Sequence, residues 1–189
     1  MRPRPIVGRR RWSPADEGGV ALIEFALILP LILLLLFGMI DFGKAFNYWN
    51  DETHLANEAA RQAAVNKNPG APSSPSLEQW IKDRADSAEL KNGGSSIDTP
   101  GVSVSFCFVD AQGPTDPSPG APDTRVGHPV KAIVRATYRW LGYLVGQKAV
   151  VSPKQTITAT STMRIEQPYD SSSPSSNAYS QSGPVLCTP

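Results

Sequence analysis

The sequence predicts an α+β protein in which a long N-terminal transmembrane helix extends outward and is followed by a small antiparallel sheet with a covering helix. Three observations predict it. Residues 20–40 form one apolar run. A proline-free stretch with alanines at spacing four continues to about Val65. Beyond it, three segments alternate apolar and polar side chains with the period of two that marks half-buried strands.

The apolar run reads VALIEFALILPLILLLLFGMI, and 15 of its 21 residues are Leu, Ile, Val or Phe. As a helix it measures about 31 Å, close to the thickness of the hydrocarbon core. Those 15 side chains favour insertion by roughly 5 to 9 kcal/mol, a sum that the one carboxylate, Glu24, does not reverse. A removable secretory signal has a shorter apolar region, and Gly43-Lys44-Ala45 follows a charged residue and an aromatic, Asp41 and Phe42. No cysteine lies near the span, so nothing supports a lipoprotein.

Charge sets the orientation. Residues 1–19 hold Arg2, Arg4, Arg9, Arg10 and Arg11 against Asp16 and Glu17, leaving 13 basic and 15 acidic side chains for the rest of the chain. The positive-inside bias therefore keeps residues 1–19 as a cytoplasmic leader and places everything after Ile40 outside a plasma (inner) membrane. The whole chain carries a net charge of only +1. That supplies no overall field to recruit nucleic acid.

The helix is expected to continue over residues 41–66. Leu55, Ala59 and Ala63, with Ala56, Ala60 and Ala64, give a stripe of small side chains suited to close helix contact. Asn66-Lys67-Asn68-Pro69-Gly70 stops it. A compact domain then occupies 75–166. Ser76-Leu77-Glu78-Gln79 has capping-box spacing and opens a covering helix that Asn92-Gly93-Gly94 closes. The strands follow, with inward sets Val102, Val104, Phe106, Phe108; then Val130, Ala132, Val134, Ala136, Tyr138, Trp140; then Ile157, Ala159, Ser161, Met163, Ile165. Gln112 to His128 is a Pro/Gly/Asp loop, and residues 167–189 read as a disordered Ser/Pro-rich tail. Cys107 and Cys187 either pair, closing a loop worth up to about 4 kcal/mol, or remain unlinked thiols.

Glu24 is the informative residue. A carboxylate inside an apolar helix costs a few kcal/mol unless it finds a partner or reaches the interface. Cleavage after Gly19 makes Val20 a new N-terminus whose cationic amine stands four residues before Glu24, on the same helix or a neighbouring subunit. The alternative is an uncleaved anchor whose Glu24 snorkels to the cytoplasmic interface, and hydropathy alone leaves both open. Gly18 offers a second cleavage position, with Gly19 preferred. Pro30 either kinks the helix or is a tolerated membrane proline. Asp41 reads as a solvated interfacial carboxylate rather than a partner of Lys44, and Phe42, Phe46, Tyr48 and Trp49 read as an interface belt.

Gly19, Glu24-Phe25-Ala26, Pro30, Gly38-Met39-Ile40-Asp41-Phe42-Gly43-Lys44 and Ala59-Ala60-Arg61-Gln62-Ala63-Ala64 occur in fixed order. In these features residues 19–64 resemble the TadE-like family of pseudopilins from tight-adherence pilus loci, and Met163-Arg164-Ile165-Glu166 is a weaker echo. The resemblance implies processing by a membrane prepilin peptidase at Gly19/Val20, with Glu24 at the fifth mature position beside Phe25. It further implies pilus assembly or associated secretion beside a major Flp-type pilin, with other pilins, pseudopilins and the assembly machinery as partners. The large outer region suits a minor component rather than the bulk fibre.

No enzyme, cofactor or metal site is expected. Of two histidines, His54 shares a helical face with Glu58, which reads as a surface charge cluster, and His128 has no acid nearby in sequence. Gly101-Val-Ser103-Val-Ser105 lacks the last glycine of a nucleophile elbow, and no phosphate-cradling loop occurs. Lys131, Arg135 and Arg139 read as the wet face of a sheet. Two other classes stay in view: an uncleaved membrane-anchored adhesion or binding module, and a secreted hydrolase with an unusual signal.

Overall fold

The computed structural model of the chain describes residues 17–70, 76–109, 124–141, 153–168, 177–178 and 185–187. The arginines of the leader, most of the Pro/Gly/Asp loop and much of the C-terminal stretch lie outside the described residues. The chain divides into two compact units, Met1–Ile40 and Asp41–Pro189.

Helix α1, Glu17–Ala64, supplies the described part of the first unit and the first element of the second. In the first unit, residues 19–40 are exposed apart from half-buried Phe37, and Pro30 sits within the helix. Such an apolar surface is stable only in an apolar medium or against a partner.

In the second unit α1 is one-sided. Tyr48, Leu55, Ala56, Ala59, Ala60, Ala63 and Ala64 are buried, so the alanine stripe faces the domain's own core. Asn66, at φ 47°, adopts the left-handed conformation that asparagine tolerates better than most residues. The freed carbonyl of Ala64 accepts from the N–H groups of Glu166 and Gln167, at 2.7 and 3.1 Å. The end of the helix is thus satisfied by the segment that follows the last strand.

Helix α2, Leu77–Asp83, starts where the capping residue predicts, with Ser76 Oγ accepting from the Gln79 N–H at 3.3 Å. The predicted single covering helix is in fact two. Helix α3, Ala88–Asn92, has its own cap, Ser87, whose Oγ accepts from the Leu90 N–H at 2.9 Å. Between them the Asp86 N–H leaves the helical pattern to donate to Asp51 Oδ2 at 3.2 Å. A serine cap beside a tertiary acceptor outweighs the apolar periodicity that runs through Ala85 and Ala88. After α3 the chain turns back on itself, and Gly101 is required there. Its φ is +89°, and a Cβ would run into the carbonyls of Leu90 and Lys91.

Strands β1 (Ser103–Phe108), β2 (Pro129–Arg139) and β3 (Lys154–Arg164) form an antiparallel sheet in that order. Val104 pairs with Val134, and Val134 with Ala159. The inward sets are those the alternation predicts: Val102, Phe106, Phe108, Val130, Ala132, Val134, Ala136, Tyr138 and Ala159 join Leu77, Ile81, Leu90, Ile97 and the α1 stripe in one core.

Two expectations are corrected. Arg139 is not on a wet face but buried, paired with Asp98, which also binds Lys154 Nζ at 2.8 Å. The C-terminal stretch is not uniformly loose either. Ala178 is buried and its carbonyl accepts from the Leu77 N–H at 2.8 Å. Asn66 holds the same place through the Ala178 N–H and Asn177 Oδ1. Further on, Phe108 exchanges backbone hydrogen bonds with Val185 and Cys187, each at 2.8 Å, and Cys187 is disulfide-bonded to Cys107.

Candidate functional site

The sequence singles out the start of α1. The structure places Gly19, Val20, Glu24 and Phe25 on the helix with all four exposed, Val20 by 57% and Phe25 by 56%. Val20 and Glu24 lie four residues apart, one turn, so groups on them share a helical face. A Cβ at Gly19, Gly38 or Gly43 would meet nothing within 4 Å. None of the three glycines is demanded by packing among the described residues. The segment is long and apolar enough to cross a membrane, with mean hydropathy 2.9 and none of its most apolar window buried.

The first turns after the apolar run are organised differently from expectation. Asp41 is 2% exposed and not solvated. It accepts from the Tyr138 hydroxyl at 2.6 Å and from the Leu141 N–H at 2.8 Å. Tyr138 also reaches the Asp41 carbonyl at 3.0 Å. Burial, reinforced by the carboxyl it contacts, holds the Tyr138 hydroxyl in its protonated, donating form.

Lys44 turns not to Asp41 but to Ser96 Oγ, at 2.8 Å, and to Glu89, at 3.5 Å. Glu89 gathers a second network. It accepts from the Tyr48 hydroxyl at 2.6 Å, from Ser95 Oγ at 3.0 Å and from the Ser96 N–H. Burial raises its pKa, but those donors and the Lys44 charge outweigh burial and hold it down to about 2. Of the four aromatics expected at an interface, Phe42, Phe46 and Trp49 are exposed, while Tyr48 is buried, its ring tilted against that of Tyr138.

Glu52, one turn further, is the unusual group. It is fully buried, and neither carboxyl oxygen has a hydrogen-bond partner among the described residues. Burial, with a smaller contribution from the neighbouring Asp51 charge, pushes its pKa up to about 9. The side chain is therefore a neutral acid at pH 7.

The pair His54 and Glu58 lies on a polar cleft with Asp51, Arg84 and Asp86. Glu58 is engaged by Arg84 Nε at 3.0 Å, and among the described residues no group of three His, Cys, Asp or Glu stands close enough to hold a metal ion. Ser103 donates its hydroxyl to the Arg135 carbonyl at 3.2 Å, as part of the strand pairing. The sequence reading missed Asp41–Tyr138, the Glu89 network and Glu52. The one available signal was the inward phase of Tyr138, a hydroxyl that needs a partner once buried.

No curated protein and no solved structure matches the chain. Residues 19–64 match the family model described as TadE-like protein. The match begins at Gly19, whose space no neighbour occupies, and ends at Ala64, the last residue of α1. The match spans about a quarter of the chain, and along this helix the chain is similar to TadE-like proteins.

Proposed function

We propose that this chain is a minor pseudopilin of a tight-adherence type pilus or secretion system. In this reading it is not an enzyme. A prepilin peptidase removes the leader between Gly19 and Val20 on the cytoplasmic face. The apolar helix holds the subunit in the plasma membrane, with the second unit outside, until the assembly machinery docks it against other pilins or pseudopilins.

The observation that carries the reading is the exposed apolar helix of residues 19–40 with its single carboxylate, Glu24, within a TadE-like match. Such a surface needs lipid or neighbouring helices. In either setting Glu24 needs a partner or the interface, and a new amine on Val20 is the nearest cation that cleavage can supply. Open space at Gly19 and Gly38 supports the same reading. Glycines without an intrachain role suit close approach by a peptidase or a second helix.

The well-formed second unit favours an alternative, an uncleaved anchored binding module. Two variants separate the readings. Gly19→Arg is expected to leave the leader attached, seen as slower gel migration. Glu24→Ala is expected to enter the membrane normally but abolish or nearly abolish piliation. Normal trimming of the first variant would contradict the cleavage position, and normal piliation of the second would remove Glu24 from assembly.

A further inference from the structure

The outer face of the sheet has a chemistry that the core and the helix do not explain. Its positions are fixed by register, with Lys131 opposite Thr162, Arg135 between Ser103 and Thr158, and Arg164 opposite Pro129. Thr156, Thr158, Thr160 and Thr162 are exposed, as are Ser103 and Ser105, so the face is open along most of its length; beside half-buried Lys131 the outward Cys107 is covered by its disulfide partner Cys187. No outward position on the three strands is an aspartate or glutamate, and Asp98, which shares a cleft with Arg135, is already paired with Arg139 and Lys154. Lys131, Arg135 and Arg164 pair with no acid among the described residues, whereas Arg84, Lys91 and Arg139 each have one.

The three free cations form a row. At about 3.3 Å per residue, Lys131 and Arg135 lie about 13 Å apart along β2, and Arg164 stands about 7 Å beyond Lys131 on the adjoining strand. Hydroxyls fill the intervals. One-signed charge on an open surface attracts an extended polyanion, and unpaired lysine and arginine give up only water and counterions to bind it.

We infer that this face binds an extended acidic polysaccharide. Three features select that class. The face carries no aromatic side chain on which a base would stack, unlike sites for single-stranded nucleic acid. Its one sizeable apolar side chain, Ile133, is too little for the apolar centre of a protein interface. Threonine and serine hydroxyls, donors and acceptors at once, match sugar hydroxyls, while the cations match the carboxylates of acidic sugars. The outward orientation proposed above says where such a polymer is met, but binding itself does not depend on that orientation.

The test uses the full chain in a nonionic detergent, with polygalacturonate as the probe and dextran and oligothymidylate as comparisons. Polygalacturonate is expected to bind and dextran not to. With three charge contacts, binding should weaken roughly twentyfold between about 50 and 200 mM salt. A K131Q/R135Q/R164Q triple variant should lose at least tenfold and most of the salt dependence, and R135Q alone should lose part of it. An R61Q/K67Q variant, changed at exposed cations elsewhere, should bind normally. Failure of polygalacturonate to bind, undiminished binding by the triple variant, or equal binding of dextran would overturn the inference. Preference for oligothymidylate would overturn the ligand class. None of these results bears on leader cleavage, so the two proposals fail separately.

Discussion

Replacing Glu52 by glutamine should stabilise the second unit, and by an amount that depends on pH. In the folded chain the carboxyl is fully buried, has no partner, and keeps its proton up to about pH 9. Unfolded, it titrates near pH 4.3. Below that value both states hold the proton and nothing is lost. Above it the folded state binds more protons than the unfolded one, so stability falls as pH rises. The slope is about 1.4 kcal/mol per pH unit until the folded pKa is passed. At pH 7 the accumulated loss is about 4 kcal/mol. Glutamine leaves a neutral polar group in the same place but does not ionise in the unfolded state. Glu52→Gln should therefore match the parent within about 1 kcal/mol at pH 5 and exceed it by about 4 kcal/mol at pH 7. For a unit of this size that corresponds to a Tm higher by about 10 °C. Thermal unfolding of the full chain in detergent, followed by the fluorescence of Trp80 and Trp140 at several pH values, reads the difference. Parallel pH profiles for the two proteins would refute the reasoning, because they would mean that Glu52 does not hold its proton in the fold.

Tyr138→Phe removes the hydroxyl that Asp41 accepts at 2.6 Å. It should cost about 1–3 kcal/mol in the same unfolding experiment, since the carboxyl stays buried with fewer donors. Replacing Cys107 and Cys187 by serine should lower stability by up to about 4 kcal/mol, matched by reductant on the parent; an unchanged Tm in either case would show that the cross-link does not hold the C-terminal stretch in place. Gly101→Ala should destabilise by more than about 1 kcal/mol, because the left-handed backbone and the Leu90 and Lys91 carbonyls leave no room for a methyl group. A neutral result in chemical denaturation would contradict that packing.

Much of the architecture was legible because it rests on periodicity. The inward phase from Val130 to Tyr138 follows from a period of two, and the buried Leu55–Ala64 stripe from a helical one. What escaped the reading depends on partners remote in sequence. Asp41 looked solvated because only Lys44 was in view, whereas its actual donor lies 97 positions away. Arg139 continues the outward phase of Lys131 and Arg135, yet it sits at the end of β2 where Asp98 comes within reach. The break between α2 and α3 was masked by alanines that keep the apolar spacing while Ser87 starts a new cap. Residues 177–178 and 185–187 show no pattern, because backbone hydrogen bonds and a disulfide hold them, and neither requires apolar spacing. At the candidate site, Gly19, Glu24 and Phe25 stood out because a lone carboxylate in an apolar run is chemically conspicuous. The buried neutral Glu52 was hidden among the other charges of α1, and only burial distinguishes it.

In the proposed function an acid within the apolar helix is matched by an amine created when the leader is removed. Intact mass of the protein extracted from native membranes tests this most directly. A polypeptide that begins at Val20 is the expected result. A mass that retains the arginines of residues 2–11 would contradict it.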